Sequence, residues 1–175
     1  MMTSPVYRAA EAVNQTQRLV RLEAIEAVRA LFARYMQLCD VPRQPAATAE
    51  SLAALFAEDA TWKGVGHHYQ EKFGRLDGAT AICAMLMSYL PPNPHFAFNG
   101  HFLASEHIEA EGDRARGQWL MQQISTYEDE RSELIVARLV IDFAREGSTW
   151  RITLFQSECL GKFPLQSANR LETDS

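Results

Sequence analysis

The chain has 175 residues, a length that suits one domain. Hydrophobic residues make up 47% of it and the net charge is −5, so a sizeable core can form and no basic surface is offered to nucleic acid. No apolar run has the length to cross a bilayer, and three scattered cysteines without CxxC spacing (Cys39, Cys83, Cys159) speak against a disulfide framework and for a reducing, cytoplasmic setting.

The opening residues lack the apolar segment of a secretory signal, and 1–15 read as a mobile lead-in. Residues 16–163 then read as a single domain and 164–175 as a polar tail. Leu19, Leu22, Ile25, Val28, Leu31, Phe32, Tyr35 and Leu38 recur at spacings of three and four, which predicts an amphipathic helix over about 16–39. Pro42 ends it, because the residue before a proline is disfavoured in the helical region. "TAESLAALFAE" predicts a short second helix capped by Thr48, and "DATWKG" the start of a strand. "GATAICAMLMSYL" predicts a third helix, with Asp77 as its cap and Pro91-Pro92 as its stop.

From residue 94 the texture changes. Four long extended segments follow, at about 95–110, 114–128, 133–145 and 149–160, separated by the turn sequences "EGD", "EDER" and "REGS". Helices gathered early and strands gathered late indicate an α+β fold. Three N-terminal helices would close a strongly bent antiparallel sheet into a cone with a cavity.

Several residues are candidates for chemistry there. Asp40 falls at the C-terminal end of the long helix, where the helix dipole disfavours a carboxylate. It is either a general base or an exposed helix-end residue. In "HFAFNGHF", His95, Asn99 and His101 alternate with Phe96, Phe98 and Phe102. The phenylalanines are expected in the core, and the polar face is either the wet side of a sheet or a pocket lining. A histidine opening a strand can shuttle protons near neutral pH, so His95 is a candidate beside its alternative as a surface residue. Tyr35 belongs to the core or donates from it, and Trp62, Trp119 and Tyr127 line an aromatic cavity or simply pack. Arg138 sits inside the run "LIVARLVIDF", where it faces water or binds an anion within. The histidines show no HxH or HxxxH spacing, so no metal is expected.

The succession "YMQLCDVPRQ", "LAALFAEDATW", "FGRLDGATAI", "HFAFN", "EGDRARGQW" and "DFAREGSTWRI" resembles the SnoaL-like branch of the nuclear transport factor 2-like superfamily. Within it the chain is most similar to the lyases: scytalone dehydratase, bile acid 7α-dehydratase and hexachlorocyclohexane dehydrochlorinase. The resemblance implies a cofactor-independent lyase, of dehydratase or retro-aldol type, acting on a small apolar, aromatic or polycyclic substrate. The family's Asp after the first helix falls on Asp40, and the His of its HxxxN pattern on His95, with Asn99. The tyrosine five residues before that Asp falls on Tyr35, and a pocket aromatic on Trp62. His101 has no matching family position and reads as structural or exposed. In the last strand, Leu154 and Phe155 stand where several relatives carry an arginine, which leaves Arg138 as the candidate substitute. The same cone serves isomerases and polyketide cyclases, and also the non-catalytic small subunits of ring-hydroxylating dioxygenases. A homodimer or homotrimer is expected.

Overall fold

The computed structural model describes residues 5–42, 49–90 and 95–166, with side chains from residue 13 onward. The elements in chain order are α1 (Pro5–Cys39), α2 (Ala49–Ala53), β1 (Phe56–Val65), α3 (Gly66–Phe73), β2 (Arg75–Asp77) and α4 (Ala79–Met87). Four long strands follow: β3 (Phe98–Glu111), β4 (Arg114–Thr126), β5 (Ser132–Glu146) and β6 (Thr149–Leu165). One sheet runs in the order β2-β1-β6-β5-β4-β3. Its pairings are antiparallel except β1 on β6, which is parallel. The expected α+β architecture holds, with a curled sheet that does not close and helices over one face.

Long strands curl where their ladders slip. Register shifts occur between Ala104 and His107 on β3, and at Val136/Ala137 and Asp142/Phe143 on the β5–β6 ladder. Each such bulge bends its strand and increases the local twist. The concave face is filled by alternating residues: Ile135, Ala137, Leu139, Ile141 and Phe143 of β5 are all buried. Against them lies α1 with Val28, Phe32, Tyr35 and Met36. A fully buried Phe32 or Ile141 contributes about 1.5–3 kcal/mol of hydrophobic stabilisation. On β4, Gly117 leaves room for the Trp119 ring; a Cβ there would stand 2.0 Å from it.

The helical stripe is only half buried. Leu19 and Leu22 are 56% and 62% exposed, so α1 meets the core from Ala24 onward. The helix also starts at Pro5, within the stretch read as a lead-in. The predicted second helix ends at Ala53: Phe56 and Ala57 are buried in β1, and Phe56 pairs with Ile152. Asp77 does not cap α4. It lies in β2, held by Arg75 and Thr61, while Gly78 occupies the cap position at φ 89. The short helix α3, "GHHYQEKF", was not anticipated, because Tyr69 is its one buried residue and no apolar stripe announces it. Thr48, Pro91 and Pro92 lie outside the described residues. No helix among the described residues is long and apolar enough to cross a membrane.

Candidate functional site

The end of α1 is pinned to the edge of the sheet. Asp40 N–H still donates to Met36 O at 3.0 Å, closing the last helical turn. The next residue, Val41, forms a two-way bridge with Asn99: each N–H donates to the other's carbonyl at 2.8 Å. This bridge sets Asp40 beside β3. Asp40 Oδ1 accepts from the His101 backbone N–H at 3.0 Å and lies 2.8 Å from His101 Nδ1. The His101 side chain is only 10% exposed.

The surrounding bonds assign the tautomer. A carboxylate has only acceptors, so the hydrogen in the Asp40–His101 contact sits on Nδ1. The other ring nitrogen, Nε2, faces Asn99 Nδ2 at 3.5 Å. Asn99 is turned this way because its Oδ1 accepts from Gln123 Nε2 at 2.9 Å and from Ser125 Oγ at 2.8 Å. Gln123 Nε2 also donates to Ser125 Oγ at 3.0 Å, closing a triangle. Asn99 is buried at 4% exposure and Ser125 at 0%, so the network is shielded from water. Nε2 of His101 therefore carries a lone pair.

His101, Asn99 and Gln123 line one wall of a cavity of about 150 Å³. Tyr35, Trp62, Phe155 and Met121 contribute its apolar interior. Burial pushes the Tyr35 hydroxyl well above the usual tyrosine pKa, with Cys39 adding to the effect, so Tyr35 is held as a donor. Trp62 stacks on Phe155 at 5.5 Å, and its buried indole N–H has no hydrogen-bond partner among the described residues. Tyr35 is a polar neighbour of that N–H but stands outside hydrogen-bond geometry. A cavity wall with a lone-pair imidazole and two buried donors can take a proton from a bound molecule and stabilise a developing oxygen.

The predicted residues divide. Tyr35, Trp62, Asn99 and Tyr127 line the cavity, and Asp40 reaches it through His101. His95 was expected to pair with Asp40, and in the structure the pairing falls to His101. His95 precedes β3, is exposed, and its N–H donates to Tyr89 O at 3.2 Å. Its ring packs against Tyr89, Phe96 and Tyr127. Arg138 does not enter the cavity. It lies on the outer face, half exposed, bonded to Glu158 at 2.7 Å. Trp119 is buried outside the cavity lining, 4.2 Å from Phe32 between ring centres, with its N–H on Glu106. Tyr127 donates to Glu133, and burial and that bond push its pKa up to about 12.

Sequence reasoning missed Gln123 and Ser125. Their signal was present: Met121, Gln123 and Ser125 alternate on β4, and the ladder sets them opposite Leu103, His101 and Asn99. The expected phenylalanine core of β3 is also inverted. Phe98 and Phe102 are 41% and 52% exposed, while Asn99 and His101 point inward.

A curled α+β sheet with helices over its concave face, a buried polar wall and a central cavity define a cystatin-like cone. The SnoaL-like domain family matches residues 20–156, and the chain belongs to that family. Among solved structures it is similar to the dehydrochlorinase LinA, with a TM-score of 0.71 and 19% identity over 87% of this chain and 97% of that one. It is similar to a scytalone dehydratase-like protein from Novosphingobium aromaticivorans at TM-score 0.66 and 16% identity, covering 88% and 97%. An NTF2-like protein of unknown function from Pseudomonas putida is also similar, at TM-score 0.59 and 18% identity, covering 78% and 87%. At these identities the likeness speaks for the fold. No curated protein matches the chain in sequence.

Proposed function

We propose that this chain is a cofactor-independent lyase that eliminates water from a small, largely apolar ring compound, with His101 as the base and Asp40 as its partner. The observation that carries the reading is the 2.8 Å contact between Asp40 Oδ1 and His101 Nδ1, which in the neutral imidazole makes Nε2 the acceptor at the cavity wall. Nε2 takes a proton from carbon, the C–H electron pair becomes the new double bond, and the neighbouring hydroxyl leaves with its bonding pair and takes the proton from the imidazolium, so that water is released and the neutral base restored. Asp40, which is partly exposed, holds the imidazolium that forms through its bond to Nδ1. Tyr35 donates to the departing oxygen, and the indole N–H of Trp62 has a free hydrogen-bonding position for another substrate oxygen. Neighbours such as the dehydrochlorinase and the scytalone dehydratase-like protein support elimination as the reaction class.

The test is a screen of hydroxylated ring compounds with mass detection, on the native chain and on His101→Asn. Loss of one water that disappears in the variant supports the reading. Loss of a small aldehyde makes the enzyme a retro-aldolase, and rearrangement without mass change makes it an isomerase. Turnover that survives His101→Asn overturns the assignment.

Association into a homodimer or homotrimer belongs to the same proposal. Phe102, Leu120 and Phe163 stand exposed on strands of the sheet, at 52%, 36% and 52%. Analytical ultracentrifugation that finds a monomer at micromolar concentration overturns it.

A further inference from the structure

Two of the chain's three lysines, Lys72 and Lys162, line the same cavity as His101. Both are exposed, so they form its rim. Among the described residues, neither has a carboxylate within ion-pair distance. Glu133 is the one carboxylate in the cavity lining among the described residues, and the Tyr127 hydroxyl donates to it. The Lys72 ammonium instead stands over the rings of Phe73 and Tyr89, at 4.9 and 5.7 Å. Burial and the nearby Lys162 charge lower the Lys72 pKa, with Glu133 acting the other way. The two ammoniums thus share a field that a further anion would relieve, in a chain whose net charge is −5.

The sheet sets where that anion stands relative to the base. His101 on β3 is opposite Gln123 on β4, Gln123 is opposite Ile135 on β5, and Ile135 is opposite Lys162 on β6. All four line the cavity. The row spans three strand spacings, about 14 Å measured along the sheet. A ligand with its reacting carbon at His101 Nε2 and a charged group at the lysines lies along this row.

We propose that the cavity takes a carboxylate-bearing ring compound, with the carboxylate bound by Lys72 and Lys162 on the rim and the ring directed toward His101. This deepens the lyase reading by naming the class of its substrate, and it rests on that cavity being the substrate site. Lysine suits the task as a mobile point charge with three donors.

The test is calorimetric titration of the full chain with two probes of one shape, 2-naphthoate and 2-naphthalenemethanol. The carboxylate is expected to bind about tenfold tighter, the scale of one charge-assisted hydrogen bond. In the double variant Lys72→Met/Lys162→Met the preference falls to about twofold or less, while the affinity for the alcohol is kept. Equal affinity in the native chain, no binding of either probe, or a preference that the double variant retains overturns the proposal. Asp40→Asn is titrated in parallel. It keeps the carboxylate preference whether or not the chain is a lyase, so the two readings fail separately.

Discussion

Asp40 and His101 meet through a single oxygen. Oδ1 of the aspartate accepts from both the backbone N–H and the Nδ1 of the histidine, at 3.0 and 2.8 Å. Two donors from one residue hold the carboxylate against rotation and the imidazole against a ring flip. Removing either partner therefore removes orientation as well as charge. Asp40→Asn and His101→Gln are each expected to lower turnover by about 10²–10⁴-fold, the range of a lost acid–base group. His95→Gln is expected to change it less than about threefold, since its exposed ring only packs on Tyr89, Phe96 and Tyr127. Steady-state kinetics with circular dichroism on all three variants checks this. A large loss in His95→Gln with His101→Gln unharmed would return the role to His95.

Tyr35 is held protonated by burial, and its hydroxyl is placed as a donor. Tyr35→Phe keeps the ring and its 5.0 Å contact with Phe155. It is expected to lower turnover about 10–100-fold while stability moves by less than about 1 kcal/mol. The measurement pairs kinetics with urea unfolding. Unchanged turnover would make Tyr35 a packing residue only.

Ser125 donates to a buried Asn99 oxygen and accepts from Gln123. Ser125→Ala deletes one donor to an atom that water does not reach. The expected cost is about 1–3 kcal/mol of stability. The variant should also broaden the imidazole nitrogen resonances of His101, because Asn99 is freed to turn its carbonyl toward Nε2. Nitrogen-15 NMR that shows one unchanged tautomer in the variant would separate the network from the tautomer.

Glu106 joins three elements of the core's outer edge. It accepts from Arg29 on α1 at 2.7 and 2.8 Å and from the Trp119 indole at 3.2 Å. Arg29 above all holds its carboxyl below the usual glutamate value, against a smaller opposing effect of burial. A depressed folded-state pKa stabilises the fold above the unfolded value of about 4.3, and the contribution is lost as pH falls through the folded value. Glu106→Gln is thus expected to cost about 1 kcal/mol at pH 7, and the gap to native should close below about pH 4. Denaturation curves at pH 7, 5 and 3 read it. A gap independent of pH would mean that geometry rather than charge is lost.

Much of the fold was legible because turn chemistry punctuates it: "EGD", "EDER" and "REGS" fall at the turns between β3, β4, β5 and β6. The site was legible in part. Alternation in "HFAFNGHF" gave the parity of β3 correctly, placing Asn99 and His101 together. It carried no sign: β3 turns its polar residues to the cavity, so Phe98 and Phe102 are the outer set, while Phe96, ahead of the strand, is buried. His95 shares that parity but not the strand, because β3 begins at Phe98 and the His95 N–H bonds back to Tyr89. Arg138 was legible as unusual, and the choice between water and interior depended on Glu158, its cross-strand partner twenty residues on. The rim lysines were invisible for simpler reasons: α3, which carries Lys72, left no periodic signal, and β6 runs past the expected 149–160 to include Lys162.

The bridge between Val41 and Asn99 has a second role beyond setting the acid beside the imidazole. β3 is the last strand of an open sheet and displays Phe98 and Phe102 to solvent. Such a margin invites strands from other molecules. Val41 occupies the Asn99 amide and carbonyl there, and Pro42, which follows, has no N–H to extend the ladder. The placement of Asp40 beside His101 and the covering of this edge thus rest on the same two hydrogen bonds. Substitutions that loosen the end of α1 would therefore both free Asp40 from His101 and uncover a strand edge.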